Sequence, residues 1–299
     1  MWLNSRGIVP DAIVSVDPVL LSYVLRATDP ITLSTGHVLS SENLVSYLLN
    51  GIYQEFNTTD LVDDNRKQDV VYAEAVNATF SKLMQGPLKP KPLIAALLQG
   101  WNEHRLLFWS SHPDEQALLT KNGFERGLPL SNATTDRVGV YVQDNVGSKL
   151  NFYLKGGVRL AQGFCRADGL QSYRVSVDLA STLPLELVPA LSGSILGQYE
   201  KENVAAGTQR LIVRLYAPPG SQISGATLNG APVVVSPQHD TDYPVGSVLI
   251  ELSPSATGTI TYDVVAGPGS RTLEAEVTPG VNPTPITKEP LDCATVAVG

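Results

Sequence analysis

The densest collection of reactive side chains lies in residues 57–67, where Asp60, Asp63 and Asp64 stand just before Arg66 and Lys67. Carboxylates beside cations at a helix N-terminus can hold Mg²⁺ and face a phosphate, because the helix end supplies N–H donors and positive potential. On that reading Asp64 is a metal ligand, while Arg66 and Lys67 bind phosphate. The same residues also read as a helix start. Asp64 or Asn65 then caps the helix, and the remaining charges point to water. No catalytic residue is assigned, and the sequence leaves open whether the chain is an enzyme.

Other chemistry is sparser. His37, His104, His112 and His239 have no second His or Cys at metal-ligand spacing. His104, between Glu103 and Arg105, reads as an exposed or capping residue. The chain has no nucleophile elbow of the Gly-x-Ser-x-Gly type, no Gly-rich phosphate loop and no dinucleotide fingerprint. Cys165 and Cys293 are too far apart in sequence for a metal clip. They read either as one disulfide fastening the C-terminal tail to a β domain or as two unrelated thiols. Asn57, Asn77 and Asn132 each open an Asn-x-Thr triplet, but Asn77 falls inside a helical pattern, which disfavours a glycan there. Tyr141, Tyr153, Tyr173, Tyr216 and Tyr262 fall in strand-like segments and read as packing residues ahead of a glycan platform.

The elements that must position these groups divide the chain in two. Its 299 residues are enough for two domains, and 43% hydrophobic with 17% charged residues is a globular composition. A net charge of −8 without any basic block argues against nucleic acid as a partner. No apolar run reaches the roughly 18 residues that span a bilayer. The opening Met1-Trp2-Leu3-Asn4-Ser5-Arg6 lacks the plan of a signal peptide. Export would therefore rest on an upstream segment.

Residues 11–17 read as a short buried strand, and Asp17-Pro18 as the N-cap and first residue of a helix. A small hairpin turns at Thr35-Gly36. A second helix runs from Ser40 or Ser41 to Ile52, and the apolar spacing predicts further helices over 66–84, 91–103 and 113–121. The segment 105–109 reads as a strand. From about residue 137 the pattern is strands alone: 138–144, 149–155, 158–164, 172–181, 209–217, 226–235, 247–252 and 258–265. Turn formers such as Gly156-Gly157 and Asn229-Gly230 separate them, as in an antiparallel sandwich. Residues 182–208 read as a long connection.

Several segments carry a family resemblance. Residues 10–25 (Pro-Asp-Ala-Ile-Val-Ser-Val-Asp-Pro-Val-Leu-Leu-Ser-Tyr-Val-Leu), Arg105-Leu106-Leu107-Phe108-Trp109 with Asp114-Glu115-Gln116, and Gly139-Val140-Tyr141 with Lys149 resemble domain of unknown function 4012. That is a family of actinobacterial envelope proteins, and the resemblance runs from about residue 9 to 265. It implies a membrane-anchored, extracytoplasmic protein that begins upstream of this chain. The first part is also distantly similar to the LytR-CpsA-Psr family, through the strand at 13–17, the helix at 19–27, the Gly36 hairpin, the helix at 44–52 and the Arg66-Lys67-Gln68 helix start. Those enzymes transfer glycopolymers from a polyprenyl-pyrophosphate lipid to the cell wall, gripping the pyrophosphate with arginines and an aspartate-bound divalent metal. Only Arg66 and Asp64 match that site. Tyr53-Gln54-Glu55-Phe56 stands where the family carries paired arginines.

The resulting expectation is a mixed α/β or α+β chain. Residues 1–130 form a truncated LytR-CpsA-Psr-like α/β region, residues 137–267 an antiparallel β-sandwich, and residues 268–299 a Pro-rich extended tail. The expected role is an extracytoplasmic cell-envelope scaffold or binding module without catalysis. Its partner would be a cell-wall glycopolymer or another envelope protein, and it would reach the membrane only through an upstream anchor. The alternative is a degenerate phosphotransferase acting on polyprenyl-pyrophosphate-linked glycopolymers, and Mg²⁺ is implied only by that alternative.

Overall fold

The computed structural model describes residues 7–58, 60–124, 127–235 and 237–295. The fold is mixed α+β, and the chain separates into two compact units, residues 1–127 and 128–299. Among the described residues, no helix is long and apolar enough to cross a membrane.

The first unit is mostly helical. Strand β1 (Ala12–Ser15) leads into the helix Pro18–Leu25, which starts where the sequence places it. The Asp17 side chain accepts the Leu20 N–H at 2.7 Å, and Pro18 occupies the first turn, where its missing N–H costs nothing. Strands β2 (Ile31–Thr32) and β3 (Val38–Leu39) form the hairpin around Gly36. A short helix, Leu44–Ser46, passes through a π-helical turn, Tyr47–Gly51, into Ile52–Glu55. The long helix Leu61–Gln85 follows, then Pro90–Asn102, strand β4 (Leu107–Ser110) and the helix Pro113–Lys121.

Leu20, Val24 and Leu106 form one buried cluster. Gly100 lets the helix Pro90–Asn102 approach the helix Pro18–Leu25 closely, since a Cβ there would lie 2.4 Å from Leu20 Cδ1. Two expectations fail in this unit. β1 is exposed, not buried, because β4 is its one partner among the described residues and the pair is antiparallel. The long helix also begins five residues before the predicted start at 66, because Asp60 is the cap and accepts the Asp63 N–H at 3.1 Å.

The second unit holds β5 (Thr135–Asp144), β6 (Leu154–Gly163), β7 (Ser172–Ser181), β8 (Gln209–Tyr216), β9 (Gln222–Leu228), β10 (Ala231–Val233), β11 (Gln238–Asp240), β12 (Tyr243–Leu252), β13 (Thr257–Val265), β14 (Thr272–Val277) and β15 (Ile286–Pro290). They form a six-stranded sheet in the order β10-β9-β13-β7-β6-β15 and a five-stranded sheet in the order β11-β12-β8-β5-β14. Alternating residues of both sheets build one core, including Val175 and Val177 of β7, Ile260 of β13, and Val213 and Leu215 of β8. Two buried tyrosines tie the sheets together. Tyr262 Oη of β13 donates to the Val213 carbonyl at 2.8 Å, and Tyr173 Oη of β7 donates to Asp136 of β5 at 2.7 Å. Burial raises both phenol pKa values well above the usual 10. These are the packing tyrosines that the strand pattern suggests.

Two of the differences in strand boundaries change the local path of the chain. Residues 149–153 are not a strand, and Leu154 and Lys155 open β6. Asp144 Oδ1 accepts the N–H groups of Val146, Gly147 and Ser148, and the chain curls through the 3₁₀ turn Leu150–Tyr153. Gly156-Gly157 consequently lies inside β6 instead of turning. The segment 226–235 is divided by Asn229 (φ 52°) and Gly230 (φ 80°), whose left-handed conformations close a tight hairpin.

The largest correction is at the C-terminus. Residues 268–299 are not simply an extended tail, since β14 pairs with β5 and β15 with β6. Both pairings are parallel, so the unit is not purely antiparallel. Prolines punctuate this stretch without preventing pairing, because both strands are at sheet edges, where a missing N–H is tolerated.

Candidate functional site

The predicted acidic cluster does not assemble as a phosphate clamp. Asp64 is 1% exposed, and its oxygens accept the Thr58 N–H at 2.7 Å and the Thr58 hydroxyl at 3.1 Å. Arg66 is 76% exposed and pairs with Asp63, which Lys67 also meets at 2.7 Å. Hydrogen bonds from Lys67 and then Arg66 hold the Asp63 carboxyl below the usual carboxylate range. Asp60 is occupied as the helix cap. The carboxylate nominated for metal is thus spent on its own loop, and the two cations are spent on a different carboxylate. This donor set does not fit a divalent cation. Among the described residues, no group of three or more His, Cys, Asp or Glu is gathered to hold one.

A different charged cluster sits at the heart of the first unit. The Arg105 side chain is 4% exposed; its Nη1 meets Asp17 at 2.7 Å and its Nε meets Glu103 at 2.6 Å. Tyr23 Oη donates to Glu103 at 2.8 Å. The backbone explains how Arg105 arrives there. The helix Pro90–Asn102 ends with His104 at φ 60°, a left-handed residue past the C-cap, and the Arg105 N–H closes on the Gly100 carbonyl at 2.8 Å. Burial pushes the Glu103 carboxyl up, but the hydrogen bonds from Arg105, Gln99 and Tyr23 outweigh it and leave the pKa below its usual value. Asp17 both caps a helix and neutralises Arg105. The network holds β1, the first helix and the 103–107 junction together, which is a positioning task.

The more open arrangement is on the outer face of the six-stranded sheet, and strand alternation puts it there. In β7, Tyr173, Val175 and Val177 point into the core, so Arg174, Ser176 and Asp178 point out. In β13 the outward set is Thr259, Thr261 and Asp263. The register places Arg174 opposite Asp263, Ser176 opposite Thr261 and Asp178 opposite Thr259. Thr227 of β9 lies opposite Thr261, and Arg159 of β6 opposite Ser176. A row of Thr227, Thr261, Ser176 and Arg159 therefore crosses four strands.

Each guanidinium on this face is held rigidly. Arg174 meets Asp263 through two bonds, Nε at 2.8 Å and Nη2 at 3.0 Å. Arg159 meets Asp178 through Nε at 2.8 Å and Nη2 at 3.2 Å, and reaches Glu289 of β15 at 3.2 Å. Thr259 donates to Asp178 at 2.7 Å. The Arg159 hydrogen bonds hold the Asp178 carboxyl below its usual value, against an opposing push from burial. Paired planar forks of this kind fix orientation as well as charge. The groove has a volume of about 500 Å³, and Glu289, Pro290, Leu291 and Asp292 form one wall.

Chemically this surface offers the Thr227 and Thr261 hydroxyls, flanked by guanidinium groups whose carboxylate partners are already in place. Ser176, between Thr261 and Arg159 in the row, is 3% exposed and shares a 3.1 Å hydrogen bond with Thr261. The groove carboxylates Asp263, Glu289 and Asp292 outnumber Arg159 and Arg174, which disfavours an anionic ligand. The alternation of residues 172–179 showed one polar face in the sequence. The partner strands were not legible, because register is decided by the whole sheet.

The wall of the groove depends on the C-terminal segment. Cys165 and Cys293 are disulfide-bonded, with Cα atoms 5.1 Å apart and a sequence separation of 128. The bond fastens the chain just beyond β15 to the loop that joins β6 and β7.

The model of a protein family of unknown function, DUF4012, matches residues 1–53. No curated relative matches the chain. Among solved structures, one from Legionella pneumophila subsp. pneumophila str. Philadelphia 1, named as a candidate nutrient binding protein, is similar at 10% identity with a TM-score of 0.27. That similarity covers 45% of this chain and 44% of the other, so the chain spans under half of that protein's length. A likeness this slight carries no argument about ligand or mechanism.

Proposed function

We propose that this chain is a non-catalytic, extracytoplasmic binding module of the cell envelope. Its second unit acts as a two-sheet sandwich that presents the Arg159–Arg174 face to a neutral, hydroxyl-rich polymer such as a cell-wall glycopolymer. The observation that carries the reading is the cross-strand row of hydroxyls between bidentate arginine–carboxylate pairs. A polyhydroxyl ligand asks for fixed donors and acceptors at regular spacing, which strands about 4.8 Å apart supply. Export is supported by the disulfide, which persists in oxidising compartments, and by the low charged fraction of 17%.

The alternative of a degenerate phosphotransferase needs Asp64, Arg66 and Lys67 to converge on one phosphate. Asp64 is buried on Thr58 and Arg66 is paired with Asp63, so no observation favours it over the binding reading.

Affinity electrophoresis of the whole protein through gels containing neutral or anionic polysaccharides tests the proposal. Neutral polymers are expected to retard it, and Arg174→Ala to abolish the retardation while circular dichroism stays unchanged. Retardation by anionic polymers alone, or retardation indifferent to Arg174→Ala and Ser176→Ala together, would sink the reading.

A further inference from the structure

The second unit contains a space that its sequence leaves unfilled. Along β6, alternate residues Leu154, Val158 and Leu160 pack on the core, and the position between Leu154 and Val158 is Gly156. Gly156 faces Leu179 across the strand pair. A Cβ built on it would meet nothing closer than 3.5 Å, the nearest atoms being Leu179 Cδ2 and Thr284 Oγ1. The inner face at this point therefore has room for a methyl group that glycine does not supply. Around it lies a cavity of about 260 Å³ between the sheets, walled by Val142, Leu154, Val177 and Leu179 on the sheet side.

The remaining wall is the crossing from β14 to β15, residues 278–285, which passes from the edge of the five-stranded sheet to the edge of the six-stranded one. Thr278, Val281 and Thr284 line the cavity from that side. Side chains and backbone both tie the crossing to the sheets. The Thr278 N–H donates to the Val140 carbonyl and Thr278 Oγ1 accepts the Val142 N–H, both at 3.1 Å; Asn282 Nδ2 donates to the Phe152 carbonyl at 3.2 Å and the Leu154 carbonyl at 2.8 Å; and the Pro285 carbonyl accepts the Val158 N–H at 2.9 Å. β15 beyond it is exposed along its whole length and is followed directly by the disulfide to Cys165.

An apolar space inside a close-packed core lowers stability, and one lined by aliphatic groups stays dry and takes up apolar molecules. Among the described lining residues there is no charged side chain and no aromatic ring. Polar groups appear at its margin, where Asn151 is exposed and Asn282 is half-buried. We propose that this cavity is a binding site for an uncharged aliphatic group with a polar end. The hydrocarbon lies against Gly156 and the valine and leucine side chains, and the polar end lies near Asn151 and Asn282. The ligand enters by displacement of the 278–285 crossing, and the Cys165–Cys293 bond limits how far that crossing can lift. This site faces inward between the sheets and is separate from the outer polar face.

The test uses the whole oxidised protein and n-octanol as the probe, followed by isothermal titration calorimetry. Saturable binding of one octanol per chain is expected. Gly156→Val, which fills the cavity from the strand side, is expected to weaken binding at least tenfold. Val281→Phe fills it from the crossing side and gives the same readout should the first variant fail to fold; melting curves establish which variants are folded. Cys293→Ser is expected to raise both association and dissociation rates in stopped-flow measurements. Absence of saturable binding, or unchanged affinity in a folded filling variant, overturns the site. Unchanged rates in Cys293→Ser overturn the entry route.

Discussion

The two units use arginine in different ways. The first buries Arg105 among Asp17, Glu103 and Tyr23. The second buries its valines and leucines between two sheets and spreads its arginine–carboxylate pairs over an outer face. The difference follows from the number of strands. A two-stranded ribbon has no second layer to close over it, so β1 remains exposed on both faces. Two sheets enclose a core by alternation alone, and the outward half of each strand is then free to carry polar groups. Arginine is a clasp in the first unit and part of a surface in the second.

This contrast can be broken experimentally, because Trp2, Trp101 and Trp109, the chain's three tryptophans, all lie in residues 1–127. Tryptophan fluorescence therefore follows the first unit, and far-ultraviolet circular dichroism at the strand minimum is weighted to the second. The largest effect is expected from Arg105→Ala. Removing the buried guanidinium breaks its charge-assisted bonds to Asp17 and Glu103, which are themselves about one-third exposed; this should cost about 3–5 kcal/mol and lower the tryptophan transition, with the strand transition unmoved. Equal losses in both transitions would show that the clasp is not confined to the first unit. Cys293→Ser is the converse test. Opening a loop of 128 residues should cost about 2–4 kcal/mol in the strand transition alone.

Tyr262→Phe removes the hydroxyl that ties β13 to the Val213 carbonyl, and should cost about 1 kcal/mol, again in the strand transition.

A pH measurement sharpens the same comparison. The folded-state pKa of Glu103 lies below its usual 4.5, so its ionised form is favoured by folding. That stabilisation is present above pH 4.5 and is lost as the pH falls through the lower folded value. Glu103→Gln should flatten the acid side of the tryptophan stability profile. A profile as steep as that of the unaltered protein would locate the acid sensitivity elsewhere. The smallest effect is expected from Arg66→Ala. Arg66 is 76% exposed and its pair with Asp63 lies at the surface, so neither transition should move.

Local chemistry in the sequence was enough to place the Asp17-Pro18 helix start, the Gly36 hairpin and the polar face of residues 172–179. Each depends on residues within a few positions of one another, where cap geometry, turn conformation and alternation act directly. The same local logic left two readings for Asp64, Arg66 and Lys67, because an i,i+3 or i,i+4 ion pair and a loop-closing hydrogen bond use the same residue types as a phosphate site. Tertiary structure alone decided the rest. Arg105 and Asp17 are 88 residues apart, Arg174 and Asp263 are 89, and Cys165 and Cys293 are 128. No pattern of period two or 3.6 reaches across such gaps. The C-terminal strands are the sharpest instance. Their prolines read as a tail, and they become strands because β5 and β6 offer unpaired edges on which to settle.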